Sequence, residues 1–218
     1  MLLHLDPIAT TGRPLLMVRH ELGLDLPVRE ISLQAGDHLT PEYLRLNPNG
    51  QVPVLEDGDF VLTESGAILR YIAQGSSLLP TAPRAAARLE EALDWFKTGF
   101  ATDYCHDFAY PLLLPKLRHP DEAVQADLTA RALQRSERRF EVLDRHMLGD
   151  GRTFLCGEAL TIADFVAAVM VSLGQPLGFP VSDYRNVATW LGRITALPSW
   201  AAGNAAFVAY VEAARADG

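Results

Sequence analysis

The chain is poor in cysteine, in basic charge and in uninterrupted apolar sequence. Its two cysteines, Cys105 and Cys156, lie far apart and supply no disulfide framework. Both read as small, buried apolar residues of a cytoplasmic protein with reduced thiols. Lys and Arg number 19 against 27 Asp and Glu, a formal net charge of −8. That balance argues against nucleic acid or an anionic membrane as the main partner, but leaves room for a small anionic ligand at a local site. No apolar run approaches the roughly 18 residues of a membrane span. Met1-Leu2-Leu3-His4 lacks the basic region and cleavage site of a secretion signal. No metal is expected.

What is present is a chain of 218 residues, 49% of them apolar, enough for two modest domains with real cores. The first part alternates strand and helix patterns. Met1 to Leu5 reads as a strand and residues 6–12 as a loop. A helix is expected from about Thr11 to Leu22, stopped by Gly23, and a second strand over Val28 to Leu33. A short helix near Pro41-Glu42-Tyr43-Leu44 follows. Val52 to Leu55 and Phe60 to Leu62 flank Glu56-Asp57-Gly58-Asp59 as a hairpin, and Ser65 to Ala73 reads as a helix. Beyond a loop rich in Gly, Ser and Pro the pattern is helical throughout. The expected helices are 84–108, 120–148, 161–173, 186–196 and 198–214. The predicted organisation is an α/β domain over 1–76, a linker over 77–84 and an all-helical domain over 85–218. Thr161 and Asp164 form a capping box, a folding feature.

One stretch carries chemistry. Asn47-Pro48-Asn49-Gly50-Gln51-Val52-Pro53-Val54-Leu55 is followed by Glu64-Ser65-Gly66. Proline cannot donate to a sheet ladder, so Pro53 implies an edge, a bulge or a cis bond. A cis bond would leave the Val52 main chain free to pair with an extended, peptide-like ligand. Glu64 and Ser65 open a helix beside it, where unpaired N–H groups suit a carboxylate. Together they describe a site for a small anionic peptide such as a thiol tripeptide.

These residues, with Asp57 to Ser65 and Phe154-Leu155-Cys156-Gly157-Glu158-Ala159-Leu160-Thr161-Ile162-Ala163-Asp164, resemble the cytosolic glutathione transferases, nearest the theta-like and related bacterial branches. The resemblance implies a thioredoxin-like domain followed by a helical bundle, a homodimer, and a role in detoxification. It implies that Val52, before Pro53, pairs with the cysteinyl part of glutathione. Glu64 would face the γ-glutamyl ammonium and Ser65 its carboxylate. His38 and Gln51 would lie near the glycine carboxylate. Phe100, Tyr104 and Phe108 would line an electrophile pocket between the domains, together with the chain end from Phe207 to Gly218. Asp94 or Asp103 would cross the dimer interface.

The departure is at the thiol-activating position. Theta-like enzymes carry a serine four residues before an arginine. Here the arginine is Arg13 and the matching residue is Ala9. Thr10, Thr11, N–H groups of the first helix and Arg13 remain as candidates, and Thr11 also reads as a helix cap. A free thiol of pKa about 8.5 is a few per cent ionised at neutral pH, and lowering it by about two units takes roughly 2.7 kcal/mol. The main reading is conjugation of the glutathione thiolate to an apolar electrophile. Rivals are a glutathione-dependent peroxidase or disulfide reductase, and a non-catalytic binding module of the same fold.

Overall fold

The computed structural model describes the backbone of residues 1–216 and the side chains of residues 1–213. The chain forms two compact units. The first holds Met1–Leu79 together with the chain from Thr195 onward, and the second holds Pro80–Ile194.

In the first unit β1 (Leu2–Leu5), α1 (Arg13–Glu21) and β2 (Val28–Glu30) form a parallel β-α-β segment. After a left-handed turn at Gly36 come α2 (Pro41–Leu46), β3 (Val54–Asp57), β4 (Phe60–Thr63) and α3 (Ser65–Ile72). The sheet order is β2-β1-β3-β4, with β3 antiparallel to both neighbours. This is the thioredoxin-like arrangement that the family resemblance implies. Leu3, Leu5, Val54 and Leu55 are fully buried, as are Leu15, Met17 and Val18 of α1 and Ile68 and Leu69 of α3.

Several boundaries move, among them the end of β2, at Glu30 rather than Leu33, and two that shape the site. β3 begins at Val54 rather than Val52, because Pro53 has no N–H to give a ladder. α1 begins at Arg13 rather than Thr11, with Gly12 as N-cap and no side-chain cap. A Cβ at Gly12 would stand 2.4 Å from the Asp6 carbonyl oxygen, so only glycine fits this close approach. The Thr11 hydroxyl, expected to cap, bonds elsewhere.

The second unit contains α4 (Pro83–Trp95), which continues as a π-helical stretch over Phe96–Ala109, then α5 (Tyr110–Leu113), α6 (Glu122–Val142), α7 (Ile162–Val171) and α8 (Arg185–Thr195). Its centre is aromatic: Phe100, Tyr104, Phe140 and Phe179 pack with ring centroids 4.5–5.4 Å apart. The capping box is present, and its carboxylate does more than cap. Buried Asp164 accepts from the N–H of Thr161 at 2.9 Å, the N–H of Leu155 at 2.9 Å and Trp190 Nε1 at 2.9 Å, so it joins α7 to a loop and to α8.

The final helix, α9 (Pro198–Ala216), packs with α1 in the first unit. The sequence places 85–218 in one helical domain, and the structure draws that line differently. The reason is Arg13: fully buried on α1, it donates from Nη1 to Asn204 Oδ1 at 2.9 Å and lies 3.9 Å from the centroid of the Phe207 ring. Among the described residues no helix is long and apolar enough to cross a membrane.

Candidate functional site

Strand register assembles the site. Val54 lies opposite Thr63 across the hairpin, so the residues just before β3 and just after β4 share one end of the sheet. Val52 and Pro53 therefore stand beside Glu64 and Ser65. The Val52–Pro53 bond is cis, as the sequence suggests. Among the described residues the Val52 N–H has no acceptor, so it is available to an extended ligand. Glu64 is the N-cap of α3 and Ser65 its first residue. Neither the Glu64 carboxylate nor the Ser65 hydroxyl has a partner among the described residues. Glu64 also adopts φ +69°, the left-handed region, unlike every other non-glycine residue described. Such a backbone costs on the order of 1–3 kcal/mol and collects at ligand clamps. An acid, a hydroxyl, a helix N-terminus and an open main-chain N–H together can hold both charged ends of an α-amino acid and the peptide that continues from it.

The segment leading into Val52 is braced. The Gln51 carbonyl accepts from Asn47 Nδ2 at 2.7 Å and from the Tyr43 hydroxyl at 2.9 Å. Burial pushes the Tyr43 hydroxyl up to about 12, so it remains a donor through the physiological range. The Gln51 side chain is left exposed. A Cβ on Gly50 would lie 3.1 Å from Leu39 and 3.5 Å from the His38 carbonyl oxygen, so the turn bearing His38 touches the segment bearing Gln51. His38 is half-buried, and its Nδ1 has no hydrogen-bond partner among the described residues.

The first loop reaches the same place. Asp6, buried, accepts from the Ile8 N–H and the Leu33 N–H at 2.9 Å each, and so shapes residues 7–12. Ala9 packs against the cluster of Ile31, Tyr43, Val52 and Val54. Thr11 is exposed, and its hydroxyl donates to the Val52 carbonyl at 3.1 Å. The first-helix N–H groups are engaged: those of Gly12 and Arg13 both donate to the Ala9 carbonyl, at 3.0 and 3.1 Å, and Pro14 has none. Among the described residues Arg13 donates to Asn204 and lies over Phe207.

The expected electrophile contacts have a different setting. Phe100 and Tyr104 are 0% exposed and Phe108 is 7% exposed, all within the aromatic core of the second unit. The Tyr104 hydroxyl donates to the Val171 carbonyl at 3.2 Å. Phe100 and Tyr104 thus have no surface to offer a ligand; the helical spacing of these aromatics serves packing. Of the chain end, Phe207 holds Arg13, while Asp217 and Gly218 lie outside the described residues. The two helix acids also separate: Asp103 is tied to Arg135 at 3.0 Å and Arg139 at 2.7 Å, whereas the exposed Asp94 carboxylate has no partner among the described residues. Sequence reasoning missed Tyr43, Asn47 and Asn204. Asn47 alone carried a signal, because it opens the Asn-Pro-Asn-Gly turn.

A cavity of about 280 Å³ lies elsewhere in the first unit, lined by His4, Arg29, Ile31, Asp37, Thr40 and Tyr43 among others, and by none of the predicted site residues. Among the described residues no group of three or more His, Cys, Asp or Glu could hold a metal ion.

Residues 7–74 match the profile of the glutathione S-transferase N-terminal domain, and residues 104–198 that of the C-terminal domain. A human relative, glutathione S-transferase theta-2B, is 32% identical over 89% of this chain and 80% of its own length. A delta-class glutathione transferase of Nilaparvata lugens superposes with a TM-score of 0.78 at 28% identity, over 97% of this chain and 98% of that one. A glutathione transferase homologue from Sulfitobacter, solved with bound glutathione, shares the fold with a TM-score of 0.75 at 24% identity, over 92% of this chain and 95% of that one. The chain therefore belongs to the glutathione S-transferase family.

Proposed function

We infer that this protein binds glutathione across Val52, Glu64 and Ser65 and conjugates its thiolate to an apolar electrophile. The single observation that carries the reading is the open end of the β3–β4 hairpin, where an acid, a hydroxyl and a main-chain N–H converge, none with a partner among the described residues. Glutathione is the family's co-substrate, and each of its ends meets a suitable group here. Glu64 answers the γ-glutamyl ammonium. Ser65 and the first N–H groups of α3 answer the adjacent carboxylate. Val52 pairs with the cysteinyl part, and His38 and Gln51 answer the glycine carboxylate. The thiol proton passes to solvent. The sulfur then forms a bond to an electrophilic carbon, whose leaving group departs with the bonding pair or whose strained ring opens. Of the three aromatics expected to meet the electrophile, Phe108 is the one with surface left to contribute.

The working form is a cytoplasmic homodimer. Cys105 and Cys156, neither in a disulfide, support the compartment. Phe60, 46% exposed beside the hairpin turn, and Tyr71, at a ring separation of 5.7 Å, support a partner surface on the first unit. With Asp103 held by two arginines, Asp94 is the acid free to reach a partner subunit. Turnover of glutathione with aryl halides, epoxides, isothiocyanates, hydroperoxides and disulfides tests the chemistry. Conjugation should exceed reduction, and dominant turnover of hydroperoxide or disulfide contradicts the reading. Light scattering at micromolar protein should give twice the chain mass.

A further inference from the structure

We propose that Thr11 is a positioning residue and not, through its hydroxyl, the donor to the thiolate: the hydroxyl fastens the first loop to the Val52 main chain, and the sulfur is met instead by the Thr11 N–H. The proposal rests on the glutathione reading above and deepens it.

Ala9 occupies the register where a hydroxyl is expected and has nothing to donate. The next hydroxyls along the chain are those of Thr10 and Thr11. A hydroxyl carries one proton, and that of Thr11 is directed at the Val52 carbonyl, 3.1 Å away and 41 residues along the chain. A group whose proton is so engaged can accept from a ligand but cannot stabilise an anion by donating to it. The bond instead fixes the residue whose own N–H faces the ligand. On Val52 the carbonyl is held by Thr11 and the N–H is left open. Thr11 therefore acts on the cysteinyl subsite through Val52.

The remaining donors are few. The N–H groups of Gly12 and Arg13 both point to the Ala9 carbonyl, Pro14 has none, and the N–H of Leu15 donates to Gly12. The usual attraction of a helix N-terminus for an anion is thus satisfied locally. The Ala9 N–H donates to Asp6 and the Ile8 N–H to the Asp6 side chain. The Thr11 N–H has no acceptor among the described residues. It stands on the residue already bonded to Val52, which puts a main-chain donor beside the cysteinyl subsite whatever the side chain at position 9.

The test uses the full chain with Thr11→Val and Thr11→Ser, glutathione, and 1-chloro-2,4-dinitrobenzene. Thr11 is exposed, so the valine is tolerated sterically. Thr11→Val should raise KM for glutathione about five-fold, the value of one net hydrogen bond, and leave the pH midpoint of kcat/KM in place. Thr11→Ser, which keeps the donor, should restore KM. A Thr11→Val enzyme whose pH midpoint rises by about a unit would mean that the hydroxyl acts on sulfur, since one unit is a tenfold change in ionisation. An unchanged KM would mean that the bridge is idle. Either result overturns the proposal while leaving the glutathione reading intact. Wild-type protein that shows no heat of glutathione binding removes both.

Discussion

Arg13 Nη1 and Asn204 Oδ1 meet at 2.9 Å inside the first unit, joining the first helix to the last. The guanidinium is fully buried, and among the described residues it meets the Asn204 amide oxygen and the face of Phe207. Asn204 is itself pinned by donating to the Trp200 carbonyl at 2.8 Å. Asn204→Ala should therefore destabilise the protein by about 1.5–3 kcal/mol, the value of a hydrogen bond to a charged group. Urea unfolding measures this. A loss below about 0.5 kcal/mol would show that Arg13 does not need the amide.

Glu64 should separate stability from binding. Its φ of +69° is strained for a side-chain-bearing residue, and glycine relieves that strain. Glu64→Gly should raise stability by about 1 kcal/mol, within the range for such backbone strain, and weaken glutathione binding by removing the ammonium partner. Ser65→Ala, which leaves the strain in place, should weaken binding by about 1.5–3 kcal/mol without the gain in stability. Calorimetry and unfolding on both variants check the pair. Unchanged affinity in both would remove these residues from the site.

Tyr43 provides a pH signature. Burial holds its hydroxyl at about 12 in the folded protein, against 10.0 in an unfolded chain. The folded pKa is raised, so the stability tied to the neutral hydroxyl is fully present below pH 10 and is lost as pH climbs towards 12. The urea midpoint should fall across that window, and Tyr43→Phe should flatten the fall. Because Tyr43 braces Gln51, the same variant should raise KM for glutathione. A wild-type midpoint that does not change between pH 10 and 12 contradicts the assignment.

Much of this was legible in the chain because it is written locally. The turn Asn47-Pro48-Asn49-Gly50, the proline between two valines and the Thr161–Asp164 box each act within a few residues, and each appears where the sequence places it. What could not be read is non-local. Nothing near Asn204 says that a buried arginine 191 residues away needs its side-chain oxygen, so the helical pattern groups the last helix with the others. Nothing near Trp190 points to Asp164. The aromatics at helical spacing from Phe100 to Phe108 have the same pattern whether they face a ligand or one another, and burial decided it. Thr11 read as a cap because threonine commonly caps. Its hydroxyl instead crosses to Val52, a contact set by the sheet and not by its neighbours.

The central claim is that this site, without a hydroxyl at position 9, still ionises the glutathione thiol. The direct measurement is the ultraviolet difference spectrum of the wild-type protein titrated with glutathione as a function of pH. A thiolate band should appear on binding, with a midpoint about two units below the value of about 8.5 for a free thiol. Saturable glutathione binding with a midpoint at the free-thiol value would contradict the account and leave a protein that holds glutathione without activating it.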